Sequence, residues 1–101
     1  MRIFVLLNPT NKRGTKAEYT KFRKVLLEQG FILLQNEIFM RTTPNKKSNK
    51  KYIDYLEENK PSTGIIRIIE MTEKQYKNIR YLVGKEDHQE ISVGNNNFIQ
   101  L

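Results

Sequence analysis

Between Tyr19 and Arg41 the chain reads YTKFRKVLLEQGFILLQNEIFMR. Tyr19, Phe22, Leu26 and Gln29 fall on one helical face, with Val25 beside them. Lys21, Arg23, Lys24 and Glu28 lie away from that stripe. Gly30 is a natural stop, because glycine accepts the left-handed backbone that ends many helices. Phe31 to Leu34 and Glu37 to Arg41 then read as two strands with a tight turn near Gln35-Asn36. In the second strand Phe39 and Arg41 share one face, and Ile38 and Met40 the other. A one-sided helix followed at once by a hairpin must lay its apolar side on a sheet, which implies a two-layer α+β fold.

The rest of the chain fits that frame. Ile3 to Leu7 is apolar without alternation and predicts a strand covered on both faces, in the middle of the sheet. Thr15-Lys16-Ala17-Glu18 has the form of a capping box and predicts a helix from about Lys16 to Gln29. After the break at Thr42-Thr43-Pro44, Asn45 or Ser48 caps a second helix running to about Glu58 and burying Tyr52, Ile53 and Leu56. Ile65 to Met71 predicts a strand, dense enough in apolar residues to be an inner one. Thr72-Glu73-Lys74-Gln75 is a second capping box, opening one or two helical turns. Ile79 to Val83 reads as a strand, and Ile91 to Val93 and Phe98 to Leu101 as short apolar pieces. The last of these is expected to add to a sheet edge, its own or a partner's. The order strand, helix, strand, strand, helix, strand is that of a ferredoxin-like βαββαβ sandwich, as one domain over residues 1–101.

Charge narrows the function. The 101 residues carry a net +7. Residues 1–60 hold 13 basic and 6 acidic side chains, whereas residues 61–101 hold 5 of each. An excess confined to one part of the chain suits a polyanionic partner, through phosphate contacts and counterion release. There is no cysteine, hence no disulfide framework and no thiolate zinc site. The apolar run at Ile3 to Leu7 is too short for a signal-peptide core or a membrane span, so a cytoplasmic location without membrane contact is expected.

Two basic sets are candidate DNA-binding residues. Lys12, Arg13, Lys16, Arg23 and Lys24 surround the tip of the first strand and the outer face of the first helix. Lys46, Lys47, Lys50 and Lys51 form the densest run, four lysines in seven residues. Each set reads either as a phosphate-binding surface or as solvated charge, the second set lying in a loop or helix start. Arg41 has Glu37 two residues away on its strand face as a possible partner. His88, the one histidine, sits between Asp87 and Gln89 without a nucleophile nearby and reads as a surface residue. Ser48, Ser62 and Ser92 lack a nucleophile-elbow context. No glycine-rich phosphate motif, metal-spaced carboxylate pair or recognition-helix pattern occurs.

An apolar first strand, Pro9-Thr10, the run Tyr19-x-x-Phe22-Arg23-Lys24-x-Leu26-x-x-x-Gly30-Phe31-x-x-x-Gln35, and an apolar-aromatic strand ending in Phe39-x-Arg41 together resemble the CRISPR-associated protein 2 family. Ile66 to Met71, Thr72-Glu73-Lys74-Gln75 and Tyr81-Leu82 extend the resemblance. It implies a homodimer whose C-terminal strand crosses to the partner sheet, with Phe98, Ile99 and Leu101 at the dimer interface and Phe31 and Phe39 either there or in the core. It further implies a role in spacer acquisition, in a family of which some members are metal-dependent nucleases. There the dimer bridges dimers of the CRISPR-associated protein 1 integrase and supports a protospacer DNA duplex by its backbone, with room for other adaptation proteins. Members usually place a magnesium-binding aspartate at the end of the first strand. Here that position falls at Leu7, or at Asn8 with a one-residue shift, and the chain's two aspartates, Asp54 and Asp87, lie elsewhere. No catalytic residue, metal ligand or cofactor is therefore expected. The alternatives are a metal-dependent or toxin-like nuclease on the same fold, using Asn8, Glu18 or His88, and a general RNA-binding module.

Overall fold

The computed structural model describes residues 1–85. Seven elements follow in order: β1 (Arg2–Asn8), α1 (Thr15–Glu28), β2 (Ile32–Gln35), β3 (Ile38–Thr42), α2 (Lys46–Glu58), β4 (Ile65–Met71) and α3 (Glu73–Lys77). The strands form one antiparallel sheet in the order β2-β3-β1-β4, the ferredoxin-like arrangement expected from the element order.

The uniform apolarity of β1 is explained by its place in the sheet. Ile3, Val5 and Leu7 face the helix layer, where they meet Tyr19, Phe22, Val25 and Leu26 of α1 and Leu56 of α2. Phe4 and Leu6 point to the opposite face, with Ile32, Ile38, Met40 and Tyr76. Residue faces on β3 follow the expected alternation, Phe39 toward the helices and Ile38 and Met40 away.

Several details depart from the sequence expectation. Phe31 and Phe39 are buried in the chain's own core, so neither presents surface to a second copy. Thr15 and Glu18 make no capping box. The loop after α2 draws both side chains away: Thr15 meets the Thr63 hydroxyl at 2.9 Å, and Glu18 accepts from the amide and hydroxyl of Ser62. The N-cap is Gly14 instead, without a side-chain hydrogen bond. That same loop passes so close to α1 that the Tyr19 hydroxyl donates to the Thr63 carbonyl at 2.8 Å. Gly64, at φ 89°, lies against the tip of the Tyr19 ring, and any β-carbon there would collide with the Tyr19 hydroxyl. The lysine-rich run 46–51 is helical, capped by Asn45, whose side chain accepts from the Ser48 amide. β4 is an edge strand of the described sheet rather than an inner one, with Ile65, Ile68 and Ile69 exposed. Residues 79–83 are not a strand; Leu82 and Val83 are almost fully exposed. The apolar pieces Ile91 to Val93 and Phe98 to Leu101, with Phe98, Ile99 and Leu101 as interface candidates, lie outside the described residues.

The second capping box does form, with Thr72 and Gln75 exchanging hydrogen bonds of 3.1 and 2.8 Å. It starts α3, which a five-residue length could not stabilise alone. Arg2 supplies the anchor. Its guanidinium grips Glu73 in a two-pronged hydrogen bond (2.9 and 3.1 Å) and stacks on Tyr76 at 3.9 Å. This bond from Arg2 holds the Glu73 carboxyl below its ordinary value, against the opposing effect of burial. A depressed folded-state value adds stability above the unfolded value and loses it as pH falls through the folded one. Glu73→Gln should therefore lower the melting midpoint near neutral pH by an amount equivalent to about 0.5–1 kcal/mol, given the exposure of the pair. The gap between native and variant should close as pH drops below about 4.3. A gap that stays constant from pH 7 to pH 3 in thermal melts would refute the anchoring role of the ion pair.

Candidate nucleic-acid interface

α1 and α2 lie on one face of the sheet and run in opposite directions. The start of α1 meets the loop after α2, through Glu18 and Ser62, and its end meets the first half of α2, through Arg41 and Tyr52. The two basic sets therefore begin at opposite ends of the helix layer. Lys12, Arg13 and Lys16 cluster where β1 ends and α1 starts, and Lys46 to Lys51 occupy the first turns of α2.

Not all of the candidate cations are free. Arg23, 34% exposed, is clamped to Glu37 by two hydrogen bonds of 3.0 and 2.6 Å. The Glu37 carboxylate makes the guanidinium hold its charge still more firmly. Arg23 thus ties α1 to the β2–β3 turn and is not available as a loose phosphate ligand. Lys46 is 4.0 Å from Glu70 on β4, and Lys50 is 2.7 Å from Asp54, whose hydrogen bond raises the lysine's pKa. Lys51 stands 5.1 Å above the Tyr52 ring. Lys12, Arg13, Lys16, Lys24 and Lys47 are exposed, with no acidic partner among the described residues.

Lys21 belongs with this group, although its sequence position did not mark it as a site residue. It is exposed and unpaired among the described residues, and with Lys16 and Lys24 it borders a shallow depression floored by Gly14, Ala17 and Thr20. The signal was present in the helix periodicity: on a 100° wheel Lys21 and Lys24 both stand opposite the buried Tyr19–Phe22–Leu26 stripe, whereas Arg23 sits at its margin. Small residues between long lysines let a phosphate backbone approach the helix while the amines reach it from either side.

The end of β1 has a different chemistry. Leu7 is 7% exposed and packs into the helix-facing core; Asn8 is exposed and neutral. The backbone amide of Leu7 donates to the carbonyl of Glu37, which brings one carboxylate to this end, but Arg23 already neutralises it. Magnesium takes hard, anionic oxygen ligands, and this donor set does not fit it. Among the described residues no three His, Cys, Asp or Glu side chains converge as a metal site. The Ser48 hydroxyl bonds Asn45 and the Ser62 hydroxyl bonds Glu18, so neither is poised against a histidine base. Glu18 itself is spent on Ser62. His88 and Ser92 lie outside the described residues. Arg41 does not pair with Glu37; it turns toward Gln29 and Tyr52. No helix among the described residues is long and apolar enough to cross a membrane.

Comparison with known proteins identifies the family. Residues 13–79 match the family described as CRISPR associated protein Cas2. A protein of Ligilactobacillus salivarius named CRISPR-associated endoribonuclease Cas2 is 36% identical over 87 residues, 85% of this chain and 86% of the relative. Proteins of the same name from Streptococcus mutans serotype c (strain UA159) and Acidovorax ebreus are 36% and 32% identical, covering 86% and 92% of this chain and 81% and 92% of their own. The matched segment spans α1, the β2–β3 hairpin, α2, β4 and α3, and on that evidence the chain belongs to the CRISPR-associated Cas2 family.

Proposed function

We propose that this chain is a non-catalytic adaptor of CRISPR spacer acquisition, holding a DNA duplex by its phosphates and bridging integrase dimers. The observation that carries the reading is the end of β1. Its two candidate metal positions are a leucine committed to the core and a neutral asparagine, and the nearby Glu37 carboxylate is taken by Arg23. Chemistry is then supplied by the integrase, and this chain contributes shape and charge. The unpaired cations around α1 favour backbone contact, which carries no sequence readout. A homodimer is part of the proposal. The exposed Ile65 and Ile69 lie on the sheet face away from the helices, and the β4 edge, unpaired among the described residues, would receive a strand from a second copy, with Phe98, Ile99 and Leu101 as its apolar residues.

The second reading, a metal-dependent endoribonuclease, is favoured by the printed name of the relatives. The two separate cleanly. The adaptor reading expects no magnesium- or manganese-dependent cleavage of RNA or DNA by rigorously purified protein, and expects co-purification with the cognate integrase at low salt. Metal-dependent cleavage that disappears on Asn8→Ala or His88→Ala would establish the enzyme instead.

Replacing Lys12, Arg13 and Lys16 together with alanine should weaken binding to random-sequence duplex DNA. It should also flatten the slope of log K against log salt by up to about 2.7, as for three lost phosphate contacts. Arg23→Ala should leave that slope nearly unchanged and instead lower the melting midpoint, since it breaks the fork to Glu37. Fluorescence anisotropy across a salt series, paired with thermal melts, measures both. Equal slopes for the triple variant and the native protein would move the DNA site away from the start of α1.

A further inference from the structure

Lysines without an acidic partner among the described residues, Lys51 included, stand on two helices, and a duplex can use both only if the helices keep a fixed spacing. The contact that fixes it runs through Arg41. This side chain leaves β3 on the helix-facing side and reaches between α1 and α2. Its Nη1 donates to the Gln29 carbonyl at 2.8 Å, closing the end of α1. Its Nη2 donates to the Tyr52 hydroxyl at 2.8 Å, and its guanidinium lies 4.3 Å from the centre of the Tyr52 ring. The same ring carries Lys51. A single guanidinium thus joins the carbonyl end of α1 to the α2 turn that presents Lys47 and Lys51.

Two further features mark the position as specified. Gly30, at φ 85°, leaves the space that Nη1 occupies, and a β-carbon at residue 30 would overlap that atom. The Arg41 Nε is buried without a partner among the described residues, so a cation has been retained between the helices at some desolvation cost. A positive group at the end of α1 also suits the partial negative charge there. Lysine carries one compact ammonium group and cannot span both acceptors in a plane.

The geometry points to Arg41 as a positioning residue. It touches no phosphate itself but holds Lys47 and Lys51 of α2 in register with Lys21 and Lys24 of α1, so that one nucleic-acid backbone engages both helices. This rests on the phosphate-binding reading of the helix layer and names a residue outside the basic sets themselves.

The test is the salt dependence of binding to a random-sequence 30-base-pair DNA duplex. Lys47→Ala/Lys51→Ala first sets the share of α2, an expected loss in slope of up to about 1.8 for two contacts. Arg41→Met should lose a similar share, though both lysines remain. Arg41→Lys should fail to restore it, although it keeps the charge. Adding Arg41→Met to the lysine double variant should then change the slope little further. If Arg41→Met lowers the melting midpoint but leaves the slope native at temperatures where it is folded, Arg41 is merely structural and the proposal falls. Full recovery by Arg41→Lys would instead make residue 41 a direct phosphate contact, which also overturns it. Tyr52→Phe, which removes only the hydroxyl acceptor, gives a milder version of the same result should Arg41→Met fail to fold. If the Lys47/Lys51 variant binds natively while the Lys12/Arg13/Lys16 variant does not, this inference fails and the adaptor reading stands. If neither basic set matters, both fail.

Discussion

The burial of β1 from both sides is the constraint on which the other features depend. Ile3, Val5 and Leu7 are closed over by α1 and α2, and Phe4 by Met40 and Tyr76, so the middle of the strand is covered on both faces. It pairs with β3 on one edge and with β4 on the other. Fully burying aliphatic and aromatic side chains is worth about 1.5–3 kcal/mol each, and this seven-residue strand concentrates several of them. A carboxylate in place of Leu7 would face that helix-side packing. The absence of a carboxylate at this position and the continuity of the core are thus two descriptions of one side chain.

Local codes are what the sequence displayed well. The Tyr19–Phe22–Leu26 stripe, the stop at Gly30, the alternation along β3, the Asn45 cap and the Thr72–Gln75 box all involve residues within a turn or two of each other. What it hid was competition between distant groups. Thr15 and Glu18 satisfy the spacing of a capping box, but Thr63 and Ser62, more than forty residues on, take their hydrogen bonds. Arg41 looked able to use Glu37, and Arg23 looked like a phosphate ligand. The one on the helix won it, and the one on the strand was drawn into the gap left by Gly30. β4 is apolar enough for an inner strand yet stands at an edge of the described sheet, since hydropathy alone does not encode strand order.

The candidate surface shows the same pattern. Its charge and its location on the helices were legible from the asymmetry between residues 1–60 and the remainder. Which cations are free was not, because that depends on acids brought in by tertiary contacts: Glu37 to Arg23, Glu70 to Lys46. Lys50 is the exception, its partner Asp54 lying one turn away on the same helix. Ion pairs of this exposed kind add little stability. Their larger effect is to subtract charge from particular places.

That subtraction gives the helix layer a direction. Acids compensate the side of α2 that leans toward β4, whereas Lys16, Lys21 and Lys24 on α1 have no acidic partner among the described residues. A body charged in this lopsided way feels a torque, as well as a pull, in the field of a polyanion. It is turned before it touches, so that the α1 side leads. Because such fields fade within about 10 Å at 0.1 M salt, the ionic strength of the medium governs how often a collision arrives already facing the right way.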